Sequence, residues 1–164
     1  MKQDRFLIAI LIFILLLAAL AVALFLSRRG TQNYGPENTP EGVVRNYALA
    51  LLNEDYERAY GYLLEGENKP SYEAFRQQFF SQQIDPSTAS LQIGQVDLNG
   101  DEAWVDTVIL RGDSGPFQEP YREPNWARLV KNEAGEWKIA SMPYTYWGWS
   151  WYTPQPEPLK PPVP

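Results

Sequence analysis

Residues 6–26, FLIAILIFILLLAALAVALFL, are twenty-one consecutive apolar residues without a charge. As a helix rising 1.5 Å per residue, such a run is roughly 31 Å long, about one bilayer hydrocarbon core. A helix packed on a globular core keeps a polar face, and this stretch has none. It reads as a transmembrane helix. The other reading is a cleaved signal peptide, with Ala21-Val22-Ala23 as a small-x-small cleavage site. The run is longer than a signal h-region and continues past that site to Leu26.

Lys2 and Arg5 precede the run and Arg28 and Arg29 follow it, so flanking cations tie and the positive-inside rule does not set orientation. The rest of the chain is acidic, with a net charge of -6 overall. We expect residues 1–5 in the cytoplasm, a single pass through the cell membrane, and the domain outside the cytoplasm. The membrane is then one partner. The charge leaves no broad basic surface, so no nucleic acid is expected. The chain has neither cysteine nor histidine. That excludes disulfides, thiolate metal sites and every Ser-His or Cys-His catalytic arrangement. No metal or other cofactor is expected, and no catalytic residue is assigned.

Residues 27–38 are polar, with Gly30, Gly35, Pro36 and Asn38, and read as a linker. A domain is expected over 39–152. Thr39 as N-cap and Pro40 at the first helical position start a helix. Val43, Val44, Tyr47 and Leu51 mark its inner face, and it fades near Asn53. Tyr56, Ala59, Tyr60 and Leu63 give a short second helix. Ser71 caps a third, with Phe75, Phe79 and Phe80 expected to face inward. After Pro86 the apolar period changes to two. Leu91, Ile93, Val96 and Leu98 slip parity at Gly94, which predicts a bulge. Asn99-Gly100-Asp101 is a hairpin turn, returning through Ala103, Val105, Thr107 and Ile109 on one face. Residues 112–124 read as a long polar loop. A second hairpin turns at Glu133-Ala134-Gly135. Three helices followed by antiparallel strands make an α+β layout.

The stretch TPEGVVRNYALALLNEDYERAYGYL, the two phenylalanine positions after it, and the hairpin ARLVKNEAGEWKIASM resemble the nuclear-transport-factor-2-like superfamily, over residues 39–142. The resemblance implies a cone-shaped domain, with three helices packed on a curved antiparallel sheet, like bacterial membrane-anchored members of unknown function. It also brings two functional classes. One is a non-catalytic binding or scaffolding module contacting a protein or envelope polymer. The other is an isomerase- or cyclase-like enzyme using a carboxylate in the cone pocket. For the latter, Asp97 and Asp106 are candidate bases, with Tyr47, Tyr56 and Tyr60 as donors. The absence of histidine departs from the dehydratase and cyclase pattern. Tyr47, Tyr56, Tyr60 and Tyr62 either line a pocket or fill the core. Asn99, Asp101 and Glu102 fit turn chemistry better than a metal site.

Six of the ten residues in PYTYWGWSWY, 143–152, are aromatic. If the segment is extended, Trp147, Trp149 and Trp151 share one face, with Tyr144 and Tyr146 on the other. The rings either cover the open end of the sheet or form an exposed surface for a protein or glycan partner. Residues 153–164 are proline-rich and read as a disordered, polyproline-like tail. Nothing in the sequence sets the oligomeric state.

Overall fold

The computed structural model describes residues 2–28, 33–112 and 119–153. The chain divides into two units, Met1–Asn33 and Tyr34–Pro164. The proline-rich tail expected over 153–164 lies, after Thr153, outside the described residues.

The first unit is one helix, α1, Lys2–Arg28. It runs past both ends of the apolar stretch. Its described large side chains stand exposed, Leu7, Phe13 and Leu16 by more than half. Among the described residues no helix is long and apolar enough to cross a membrane.

The second unit is an α+β fold of three helices, a 3-10 turn and a four-stranded antiparallel sheet. The helices are α2 (Pro40–Leu52), α3 (Tyr56–Gly61) and α4 (Tyr72–Phe80). Thr39 Oγ1 accepts from the Gly42 amide, with Pro40 in the first turn where its missing N–H costs nothing. Ser71 caps α4 through the Ala74 amide. Asp55 caps α3 through the Arg58 amide. A left-handed residue follows each C-terminal cap of α2 and α4, Glu54 at φ 58° and Gln82 at φ 56°. The α2 end is a Schellman closure, in which the Glu54 and Asp55 amides donate to the Leu51 and Ala50 carbonyls.

The strands are β1 (Ala89–Asn99), β2 (Glu102–Arg111), β3 (Tyr121–Lys131) and β4 (Trp137–Ser141), paired in sequence order. Between β1 and β2 the two-residue turn places Gly100 at φ 62°, the position where only glycine is free of strain. The register shifts between Ile93 and Val96, at the expected bulge. A Cβ at Gly94 would approach Asp106 Cβ to 3.1 Å, so the glycine permits the close pass. Alternation on β2 is regular, with Ala103, Val105, Thr107 and Ile109 buried. They meet Leu129 and Ala127 of β3 and Ile139 and Trp137 of β4 over the inner face of α2, where Val43, Val44, Tyr47 and Leu51 are buried. Residues after α3 close the outer edge of β4. The Leu64 amide donates to the Ile139 carbonyl, and the Ile139 amide donates to the Tyr62 carbonyl.

Three expectations change. Phe80 is 61% exposed while Phe75 and Phe79 are buried. Positions 75 and 79 are one helical turn apart, whereas 80 is rotated about 100° away from 79. The loop expected over 112–124 is shorter, because β3 begins at Tyr121 and includes Pro124. Pro124 lacks an N–H, but β4 pairs only with Arg128–Lys131, so no bond to β4 is lost.

The folded unit also begins at Tyr34 rather than at Thr39. Buried Asn46 accepts from the Gly35 amide at 2.7 Å and donates to the Gly35 carbonyl at 3.0 Å. The Arg58 guanidinium lies 3.5 Å from the Tyr34 ring centre and pairs with Glu37 at 2.7 Å. Tyr62 donates to the same carboxylate at 2.6 Å. These bonds, Tyr62 first and Arg58 second, hold the Glu37 carboxyl below the usual range.

Candidate functional site

The aromatic run does not continue the sheet. Residues 143–152 form a chain of turns after β4. Two residues take left-handed conformations, Thr145 at φ 88° and Tyr152 at φ 61°. For a β-branched residue that is a marked outlier, costing on the order of 1–3 kcal/mol. The Arg111 guanidinium donates to Thr145 Oγ1 at 3.2 Å and so helps to hold it. Gly148 is required by crowding. A Cβ there would lie 2.4 Å from both Gln78 Oε1 and Trp151 Nε1.

This path separates the three tryptophans, correcting the expectation of one shared face. Trp147 and Trp151 are buried, and Trp149 is 80% exposed. Trp151 packs 5.0 Å from Phe75 and 5.0 Å from Trp147. Trp147 stacks on Tyr152 and meets Tyr47. Tyr146 is fully buried, and its carbonyl accepts from the Tyr47 hydroxyl at 2.7 Å. Burial raises the Tyr146 phenol to about 12 and pushes Tyr47 up as well. The Tyr152 amide donates to the Asn68 carbonyl, tying the far end of the run to the loop before α4. Tyr146, Trp147 and Trp151 therefore close the core.

Tyr144 and Trp149 stand outside it. Their rings stack at 5.3 Å and 27°, with Tyr144 40% exposed. Together with Met142, Trp147 and Gly148 they line a cavity of about 120 Å³. The Arg111 guanidinium carbon is 5.7 Å from the Tyr144 ring centre. Arg111 belongs to the inward parity of β2, continued on β3 by Glu123 and Asn125 opposite Ile109 and Thr107. At this end, therefore, the inner face of the sheet turns polar. Arg111 pairs with Glu123 at 3.4 Å, and Asn125 donates to the same carboxylate at 3.3 Å. Thr107, opposite Asn125, is buried, and its Oγ1 has no hydrogen-bond partner among the described residues. Arg111, Glu123 and Asn125 had no motif to announce them. They were legible only as polar residues at inward-parity positions.

The other candidates fall elsewhere. Asp97 and Asp106 stand exposed on the outer face of the sheet, paired with Trp104 and Trp126 across the strands. Neither carboxylate is in the core. The tyrosines carry structural bonds. Tyr60 donates to the Pro70 carbonyl, Tyr62 to Glu37, and Tyr56 stacks on Phe79 at 5.5 Å. Asp101 and Glu102 face Lys131 and Arg128 as ion pairs beside the hairpin turn. Among the described residues no group of three acidic side chains is placed to hold a metal.

No family model matches the chain, and no curated protein matches it. Among solved structures, a SEC-C motif containing protein from Rhodopseudomonas palustris is similar over 65% of this chain and 79% of its own. The identity is 12% and the TM-score 0.46. An uncharacterized cystatin-fold protein from Novosphingobium aromaticivorans is similar over 64% of this chain and 97% of its own, at 14% identity and a TM-score of 0.41.

Proposed function

We propose that the protein is a single-pass, membrane-anchored binding module, and that its folded unit lies outside the cytoplasm and holds an envelope polysaccharide. The observation that carries the binding reading is the Tyr144–Trp149 stack beside Arg111, Glu123 and Asn125. An exposed aromatic stack offers an apolar face to the C–H side of a sugar ring. A guanidinium, a carboxylate and an amide held by mutual bonds offer donors and acceptors to its hydroxyls. Glycan recognition is favoured over a protein partner because the stack lines a small cavity and has the Arg111 end of this polar set beside Tyr144, rather than being part of a broad apolar surface.

The anchor reading rests on α1. Its 27 residues extend about 40 Å, and its apolar stretch is flanked by cations at both ends. The nuclear-transport-factor-2-like resemblance stands behind the non-catalytic reading. For its enzymatic counterpart the candidate bases are Asp97 and Asp106, and both are on the outer face, while the inward carboxylate, Glu123, is paired with Arg111.

Co-sedimentation of the full chain with insoluble envelope glycan tests the binding. Trp149→Ala should release most of the bound protein without moving the melting temperature. Undiminished sedimentation by that variant overturns the site. The anchor is tested by carbonate extraction, which should leave the chain in the membrane pellet. A mature product beginning near Leu24 would identify a cleaved signal instead.

A further inference from the structure

A second cavity, of about 260 Å³, lies where α2 and α4 end. Its floor is apolar, made by Leu51, Phe79 and Ile84, all buried. Tyr56 forms a wall, its ring 5.5 Å from Phe79 and 5.6 Å from Phe80. The polar lining is one-sided. Glu54 and Asp85 are the charged residues of the lining, and no lysine or arginine joins them. Among the described residues neither has an ionic partner. One Asp85 oxygen accepts from the amide and hydroxyl of Ser87, which fixes the carboxylate at the cavity.

Glu54 and Gln82 bring a separate observation. Both occupy the left-handed position just after a helix, where glycine is free of strain. Two helices are therefore followed by strained residues, and both residues are part of the lining of this cavity. A carboxylate and an amide stand where a glycine would serve the backbone better.

We propose that this cavity binds a primary amine carried on an aromatic or branched aliphatic body. The apolar floor takes the body. The Tyr56 ring and the Glu54 and Asp85 carboxylates take the ammonium, since aromatic faces and carboxylates both attract a partly desolvated cation. The Gln82 side-chain carbonyl is a further acceptor for an ammonium proton. The size restricts the ligand to a small molecule or one basic side chain, because drug-sized ligands occupy larger cavities. The site shares no residue with the Tyr144–Trp149 surface.

The test uses the full chain in nonionic detergent with phenethylammonium as the probe and phenethyl alcohol as its neutral counterpart, followed by amide chemical shifts. The amine should saturate and shift amides of residues 54–56 and 82–87. The alcohol should bind about tenfold more weakly or worse. Glu54→Gln should weaken the amine by a similar factor and leave the alcohol unchanged. Glu54→Gly should abolish the preference for the amine while raising the melting temperature, because the left-handed strain is relieved. Equal affinity for amine and alcohol overturns the proposal. So does an amine response confined to residues 142–149, or an amine affinity unchanged in Glu54→Gln.

Discussion

Trp149 and Trp151 are two residues apart in one aromatic run, yet one is 80% exposed and the other 4%. Around Trp151 the neighbours are Phe75, Phe79 and Trp147. Around Trp149 they are Tyr144 and the rim of a small cavity. The separation comes from the backbone. Residues 149–152 form a turn, closed by the Trp151 amide donating to the Gly148 carbonyl, where a strand would have kept alternate side chains together. Composition alone therefore marks neither core nor surface here. The same residue type closes the domain at one position and is offered to solvent at the next but one.

The largest expected effect is at the buried member. Trp151→Ala should lower stability by about 3–5 kcal/mol, read as a shift in urea midpoint. Trp151 Nε1 has no hydrogen-bond partner among the described residues, so the loss is one of packing, and Trp151→Phe should recover much of it. A cost under about 1 kcal/mol for Trp151→Ala would erase the distinction between the two halves.

Alkali attacks the same half. The neutral Tyr146 phenol is favoured in the folded state, where burial raises it from 10.0 to about 12. Its contribution is therefore complete below pH 10 and is lost as pH rises through about 12. Unfolding free energy should fall by on the order of 2 kcal/mol across that window. Tyr146→Phe should remove that share of the pH dependence and leave the part due to the Tyr47 and Tyr152 phenols, which burial also raises; an unchanged alkaline profile in that variant would assign the whole to them.

Gly148→Ala is expected to cost about 1–3 kcal/mol by overpacking, since its new methyl meets Gln78 and Trp151. A neutral result would show that the turn between the two halves yields easily. The smallest effect on stability belongs to Trp149→Ala, within about 0.5 kcal/mol of the parent, as for most surface substitutions. A loss comparable to that of Trp151→Ala would place the exposed ring in the core.

Local chemistry was legible wherever a bond or a φ angle is set by neighbours in sequence. Thr39, Ser71 and Gly100 each do in the structure what their residue types require. Strand parity on β2 followed from alternation alone. The shared tryptophan face did not materialise, although its breakers, Pro143 and Gly148, are plain in the sequence. The clasp of Tyr34, Glu37, Arg58 and Tyr62 left no local signal, because it joins residues 21 and 25 positions apart. The polar end of the inner sheet face was hidden for a similar reason. Arg111 and Glu123 are brought together diagonally across the β2–β3 pair by register, and part of the connection between them lies outside the described residues.

β3 changes character along its length. Its last four residues lie between two strands, while at Tyr121–Ala127 β2 is the one strand among the described residues that pairs with it. Unpaired backbone of this kind is a template on which another chain can add itself and begin a fibril. Arg122, Glu123 and Pro124 occupy that stretch. Two charges and a missing amide make it a poor template, so copies crowded at high local concentration are kept from zipping together there. The proline inside a strand thus acts as a gatekeeper against aggregation.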